Sequence, residues 1–580
     1  MSAPSRRTIL AAGLALAATG CAGVPTSGPV VAVEGSPGAP RPGGIDVDPQ
    51  SPTPGAEPEL VVAGFLQAMA SADDSYRVAR SYLTPAAAKA WDPAAGATLY
   101  DAEQHSPGAG EQGGRLKAPV IARLDEDGRY TTSHGAVVDH DFGLVRSHGQ
   151  WRISTPPRGV LVSQFAFARS YASLPLYYLD RRESWLVPDL IHLPGARATP
   201  ATVLSTLLRG PSRGIAPAVV DPTRGRVGLA GDQVRTGADG VATVTLDRAF
   251  GKLAGGVRRQ MAAQVVWTLT AFPQVSRVRF RTADGPVTIP GAAEDDSVSA
   301  DLFSSMVPLS ALGDPSVGIV TDGTLARVSE QGRIVAVPGF PSGARPAALA
   351  MGRARERWVY TDKAGTGLWV WRPGSQKAER IATGTGLRRP QICTDGSVWC
   401  VGARGAGSEV VVVDAAGKAL EVDAVGLSGT RVLAFSVSPD MARVALVVER
   451  GTERLVAIAP VRVGRGSASV GAAAALWLGV AEAGLAEVLD LGWVSQTDLA
   501  VLGRAASATT TNPYRMGLDG SGIASLGPLT GAPMTALATV PRPEDTAAWS
   551  LSADGQVLRH EERFRWRPVA GNATALSAAL

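Results

Sequence analysis

The stretch that decides the larger part of the fold is SVSPDMARVALVV, residues 436–448. A short apolar strand runs into Ser438-Pro439-Asp440, and a second strand leaves it at Arg443-Val444-Ala445. Proline presets the backbone angle of a turn and aspartate hydrogen-bonds the turn backbone, so the stretch reads as strand, turn, strand. Similar short runs lie on both sides: Val317–Val320, Trp358–Tyr360, Leu368–Trp371, Val410–Val413, Leu455–Ile458 and Leu499–Leu502. Asp-Gly turns at 322–323, 395–396, 519–520 and 554–555 punctuate them. Weakly similar units recur at about 40 residues, so residues 316–580 hold about six blades of an all-β propeller. A pair of β-sandwiches is the competing architecture.

Upstream, residues 166–292 read as an α+β domain. Leu176–Leu179 and Trp185–Val187 are strands around a turn. Thr199 caps a helix with Pro200 at its first position, Leu204, Leu207 and Leu208 form its apolar stripe, and Gly210-Pro211 stops it. Val257, Met261, Val265, Leu269 and Phe272 recur at helical spacing and define the clearest helix of the chain. Arg258 and Arg259 fall off that stripe and should face solvent. Residues 293–315, with Glu294-Asp295-Asp296, read as a solvated linker; calcium binding by the three acids is the competing reading.

Residues 59–165 read as a first α+β domain. Leu60, Phe65 and Met69 mark an amphipathic helix. Asp73-Asp74 would cap a second helix, and Thr84-Pro85 starts a third. Strands follow, ending in Gln150–Ile153. Helices followed by a curved antiparallel sheet are similar to the nuclear transport factor-like fold.

The chain begins MSAPSRRTILAAGLALAATGC. Arg6 and Arg7 precede an apolar run too short to serve as a membrane-spanning stop-transfer helix, which is the pattern of a signal peptide over residues 1–20. Ala18-Thr19-Gly20-Cys21 looks like a lipobox, with cleavage between Gly20 and Cys21. The Cys21 thiol then accepts diacylglycerol, whose two acyl chains give stable anchoring. Ser5–Leu10 also fits a twin-arginine export signal, so either export route is open. Residues 21–58 follow as the lipidated cysteine and a tether. Residues 22–58 contain nine Pro and seven Gly, cannot pack a core, and in extended form would reach up to roughly 110 Å.

The 580 residues suit about three domains plus tethers. Net charge is +4, and the fifty Arg among 56 basic residues are scattered among Asp, Glu and Gly. That distribution argues against nucleic-acid binding. Besides Cys21 the cysteines are Cys393 and Cys400, in QICTDGSVWC. If Gly396-Ser397 forms a two-residue turn they face each other across a hairpin; a disulfide and two buried thiols are both open.

The pattern as a whole resembles the LpqB lipoprotein family of actinobacteria. The carrying residues are Cys21-Ala22-Gly23-Val24-Pro25-Thr26-Ser27-Gly28-Pro29 at the mature start. In the second domain, Leu207–Pro211, Gln264–Leu269 and Asp284-Gly285 are similar to the GerMN module of spore germination proteins. The resemblance implies a lipid-anchored protein on the extracytoplasmic face of the cell membrane. It also implies an accessory regulator of the MtrA–MtrB two-component system, one that binds the extracytoplasmic domain of the sensor kinase MtrB. Cell-envelope homeostasis and cell division would be the processes served.

No nucleophile elbow, His-Glu-x-x-His or P-loop occurs, so no catalytic residue, metal or cofactor is expected. His134, His140 and His148 with Asp139 and Asp141 form the one His/Asp cluster. His140 sits on a strand, where alternate side chains point to opposite faces, so a solvated sheet surface is expected over a metal site. Trp369, Trp371, Trp399, Trp493 and Trp549 read as core anchors. The alternative function is a cell-wall glycan or muropeptide binder or hydrolase working in the propeller funnel, which would need converging carboxylates. Asp440 and Asp498 instead occupy turn positions.

Overall fold

The computed structural model describes residues 49–578, except 72–73, 103–113, 223–224, 232, 309–315, 354–355, 479–483, 530, 543–545 and 563. Gly20, Cys21, Asp73 and the tether up to residue 48 lie outside the described residues. No helix among those described is long and apolar enough to cross a membrane.

In the first domain, helices Pro58–Ala70, Arg77–Ser81 and Pro85–Ala90 pack on one sheet. Thr84 accepts from Ala87 N, and Pro85 begins its helix as the spacing requires. The long strand Arg115–Leu124 pairs with Val137–Asp141 over its first half and Tyr130–Thr132 over its second. The sheet is not wholly antiparallel: Ala97–Tyr100 pairs in parallel with Val160–Ser163. Phe65 and Met69 are buried, but Leu60 is 65% exposed: the buried face of the helix is set by Val61, Val62, Phe65, Leu66 and Met69, and Leu60 falls outside it. Tyr82 fills the space beside Gly64, where a Cβ would strike the ring hydroxyl, and donates to Gln50 O at 2.7 Å.

The second domain is built on a long hairpin, Tyr171–Asp180 with Trp185–Pro194. A βαβ unit lies against it: parallel strands Val241–Thr245 and Arg277–Thr282 joined through helix Gly255–Leu269. This helix buries Met261, Val265 and Leu269. One turn apart on it, Gln264 accepts from Leu179 N at 3.1 Å and Thr268 from Tyr177 N at 3.0 Å. Those two side chains satisfy strand amides that would otherwise be buried without partners.

The expected linker is folded over much of its length. Ser297-Val298 pairs with Arg277–Thr282, Val307-Pro308 with Trp185-Leu186, and Phe303 is fully buried. Arg259 does not point freely to solvent. It donates to Pro290 O at 2.9 Å and to Leu302 O, and lies over the Phe303 ring, so it pins this segment. Asp295 pairs with Arg277 and Arg279 and caps Ser297; Asp296 accepts from Thr288. The three acids are thus part of the module surface.

Residues 317–578 form six blades. Blade 1 closes the ring by joining the C-terminal strand Ala573–Ala578 to Val317–Thr321. Blades 2 to 6 begin at inner strands Pro346–Met351, Arg388–Ile392, Arg431–Val437, Leu485–Trp493 and Met534–Val540. Blade 4 carries an extra ribbon, Ser467–Val470 and Ala474–Leu476, which stretches the sequence repeat there. Trp371, Trp399, Trp493 and Trp549 are buried between blades; Trp369 is half-buried under Arg380. Cys393 and Cys400 are free thiols and form no disulfide. The turn is a three-residue loop, Thr394-Asp395-Gly396, closed by Cys393 N to Ser397 O at 2.8 Å, in place of a two-residue turn at Gly396-Ser397. Strand alternation then sends Cys393 to the Trp399 and Val401 core and Cys400 to the Leu368 and Val370 core, on opposite faces. Burial pushes the Cys400 thiol up to about 12 and raises that of Cys393 well above its ordinary value.

Candidate functional site

The second-domain hairpin runs onto the propeller, and charged side chains fix it there. At its tip Arg182 pairs with Asp395 at 2.9 Å and meets the Met441 sulfur. In its second strand Pro188 O accepts from Arg443 Nη1 at 2.8 Å. Arg443 is 1% exposed, lies over the Trp493 ring and faces Asp440, which is equally buried. Asp440 also takes Ser438 Oγ and Ala442 N, so the SPDMAR turn serves as a socket for the neighbouring domain.

Two residues past Leu190, His192 Nε2 meets Asp519 Oδ2 of blade 5 at 2.7 Å. His192 N donates to Gly128 O of the first domain at 2.8 Å, and Tyr130 and Phe167 enclose its ring. His192 therefore touches all three modules. Burial pushes the Asp519 carboxyl up, but the His192 imidazole and the hydrogen bonds from Ser521 together hold it below the usual range. The first domain adds Arg129 to Gly210 O at 2.7 Å, Asp127 to Arg209, and Thr132 Oγ1 accepting from Trp477 N at 3.0 Å. A groove of about 790 Å³ lies beside this seam, between Arg181 and the blade 4 residues Glu421, Asp423, Arg462 and Ser469.

In the propeller channel two β-bulges re-aim side chains inward. Arg389 of blade 3 reaches Asp490 of blade 5 at 2.8 Å, skipping the blade between them. Asp490 also accepts from Leu491 N and, in blade 6, Leu537 N. Burial raises its carboxyl above the ordinary value, against the pull of Arg389. Gln391 joins blade 3 to blade 4 by two bonds to Val437.

The sequence candidates are dispersed. His134 stacks on Trp477, His140 Nε2 meets Thr155 O at 2.9 Å, and His148 sits in a turn with Ser147. Asp139 is held low by Arg115, and Asp141 caps Gly143. Among the described residues no three His, Cys, Asp or Glu side chains are placed to share a metal. Asp498 is engaged by Ser495, Thr497 and Arg515. The joint residues His192, Asp519 and Arg443 and the channel pair Arg389 and Asp490 were not singled out in sequence. The available signal was a lone histidine inside the apolar run LIHLP (190–194), and an arginine three residues after the SPD turn.

These features define a class: scaffolds in which two α+β modules are bolted to a six-bladed propeller. Three family models match the chain: Lipoprotein LpqB, N-terminal domain (51–168), Sporulation and spore germination (175–288), and Lipoprotein LpqB beta-propeller domain (323–576). Lipoprotein LpqB of Cutibacterium acnes is 39% identical over 99% of both chains. That of Thermobifida fusca is 28% identical over 96% of both. The chain belongs to the LpqB lipoprotein family. Among solved structures, TolB from Acinetobacter baumannii is 13% identical, over 46% of this chain and 67% of that one, with a TM-score of 0.34. The first GerMN domain of GerM from Bacillus subtilis is 21% identical, over 22% of this chain and 98% of that one, with a TM-score of 0.19.

Proposed function

We propose that this lipoprotein is an accessory regulator of the MtrA–MtrB two-component system, held at the extracytoplasmic face of the cell membrane through Cys21. Its first and second modules bind the extracytoplasmic domain of the sensor kinase. The observation that carries the reading is the joint at His192, Arg443 and Arg182. Polar groups that could do chemistry are spent on locking three modules together, and the product is a shaped exterior. A regulator of this kind needs surfaces, and it shifts a kinase only by binding its two signalling states with different affinity. The modules nearest the tether along the chain are the ones placed at a membrane-proximal partner.

Photo-crosslinkers at exposed positions test this in native membranes. Labels at Val137 and Phe165 of the first domain and Arg248 of the second should capture the kinase. A label at Lys418 of the propeller should not. Capture through Lys418 alone would overturn the placement, and no capture from any position would overturn the partnership.

A further inference from the structure

The groove of about 790 Å³ beside Arg181 has a floor set by strand register. The short strand Glu421–Asp423 pairs in parallel with Ser467–Val470, and that strand pairs antiparallel with the end of Glu453–Val463. Partners across a ladder share a face, and neighbours along a strand alternate between faces. Val461, Ala468 and Val470 point into the blade 4 core. The alternate side chains therefore stand together on the other face. Glu421 lies beside Ser467, and Asp423, Ser469 and Arg462 form one row across three strands. Arg181, from the tip of the second-module hairpin, completes the groove wall.

Opposite charges share this groove without meeting. Among the described residues Glu421, Asp423, Arg181 and Arg462 make no ion pair. Asp423 Oδ1 accepts from Val425 N of its own loop at 3.2 Å. Arg181 Nε donates to Pro217 O at 2.8 Å and Arg462 Nε to Ser469 Oγ at 3.2 Å, which leaves the Nη groups of both guanidiniums uncommitted. Elsewhere on the blades such groups pair directly: Arg431 with Glu449, Arg454 with Glu487, Arg515 with Asp498. In the groove the acids lie on the outer strand and Arg462 two strands further in, so their strand axes are about 10 Å apart.

This pattern selects a ligand by charge. A simple anion would meet the two acids, and a simple cation the two arginines. Among the described residues no three groups are placed to share a metal, and no aromatic ring lines the groove to stack a sugar. A molecule with an ammonium at one end and a carboxylate at the other satisfies both sides at once. Three residues of extended chain span up to about 10 Å, which matches the separation of the strands. The Ser467 and Ser469 hydroxyls between them both donate and accept, as peptide groups require. The volume is that of a pocket for a small ligand.

We propose that this groove binds a short peptide with both termini free. Its ammonium sits against Glu421 and Asp423, and its carboxylate against Arg462 and Arg181. One wall belongs to the second module and the other to blade 4, so the site exists only where the two are joined. It is independent of the sensor-kinase reading.

Isothermal titration of the full-length lipoprotein in detergent tests this with trialanine, N-acetyl-trialanine and trialanine amide. Trialanine should bind saturably, and blocking either terminal charge should weaken it about tenfold or more. Glu421→Gln and Arg462→Gln should each weaken trialanine by a similar factor. Which end meets which wall is read by crossing the two: Glu421→Gln should add little further loss for the N-acetyl peptide, and Arg462→Gln little for the amide. Arg248→Gln, outside the groove, should leave binding unchanged. Glu421 and Arg462 are exposed, so both variants keep the fold, as circular dichroism will show. No saturable binding of trialanine would overturn the site, as would full affinity in either variant or for either blocked peptide.

Discussion

The blades and the seam beneath them are both buried, yet they cohere by different means. Between blades the large residues are Trp371, Trp399, Trp493 and Trp549 among Val, Leu and Ala. At the seam they are Arg443, Asp440, His192 and Asp519. Apolar packing is non-directional and tolerates blades that vary in length, as the extra ribbon of blade 4 shows. Buried polar pairs are directional: the seam holds one orientation of the second module, and each partner becomes a liability if the other is removed.

That difference can be broken at several points. Trp549→Ala opens a cavity between blades and should cost about 3–5 kcal/mol. Arg443→Met, which leaves Asp440 buried without its cation, should cost a comparable amount, about 3–5 kcal/mol. The two are separated by where the damage lands: hydrogen exchange should rise throughout blade 6 for the tryptophan, and at the second-domain hairpin and the 438–443 turn for the arginine. Thr268→Val strands the Tyr177 amide and should cost about 1–3 kcal/mol, read by urea denaturation.

The pH response follows from signs. The Asp519 carboxyl is depressed in the folded protein, so its stabilisation is full above the unfolded value of about 3.9 and is lost as pH falls through the folded value. Asp490 is raised, so its contribution runs the other way and weakens as pH rises through the folded value. Urea midpoints measured from pH 5 to pH 3 should therefore fall less steeply in Asp519→Asn than in the parent, and more steeply in Asp490→Asn. Equal slopes in all three would show that neither pair is formed. The smallest effect expected is chemical: unfolded without reductant, the protein should take up iodoacetamide at both Cys393 and Cys400, as mass spectrometry will report.

Much of the architecture was legible in the chain because it rests on local patterns. Proline after Thr84 and Thr199, glycine at 210, and the 257–272 periodicity each place an element by its own backbone chemistry. The Asp turns and their spacing revealed the blades for the same reason. The joint was not legible, since the pairs that make it are separated by 327 residues for His192 and Asp519 and 255 for Arg443 and Pro188. No local rule connects such positions. Arg259 misleads in the same way, since the segment that lies over it, Pro290 to Leu302, is set 31 to 43 residues along the chain. Of the two readings open for Cys393 and Cys400 the buried thiols hold, and the disulfide fails on register, because a three-residue loop in place of a two-residue turn puts the two side chains on opposite faces.

The central claim is that the second module and the propeller move as one body. Spin labels replacing Arg248, on the second module, and Lys418, on the propeller, report their separation by pulsed electron resonance in the full-length protein. A single narrow distance distribution is predicted, broadening when Arg443 is replaced by methionine. A broad or two-peaked distribution in the parent would contradict the account.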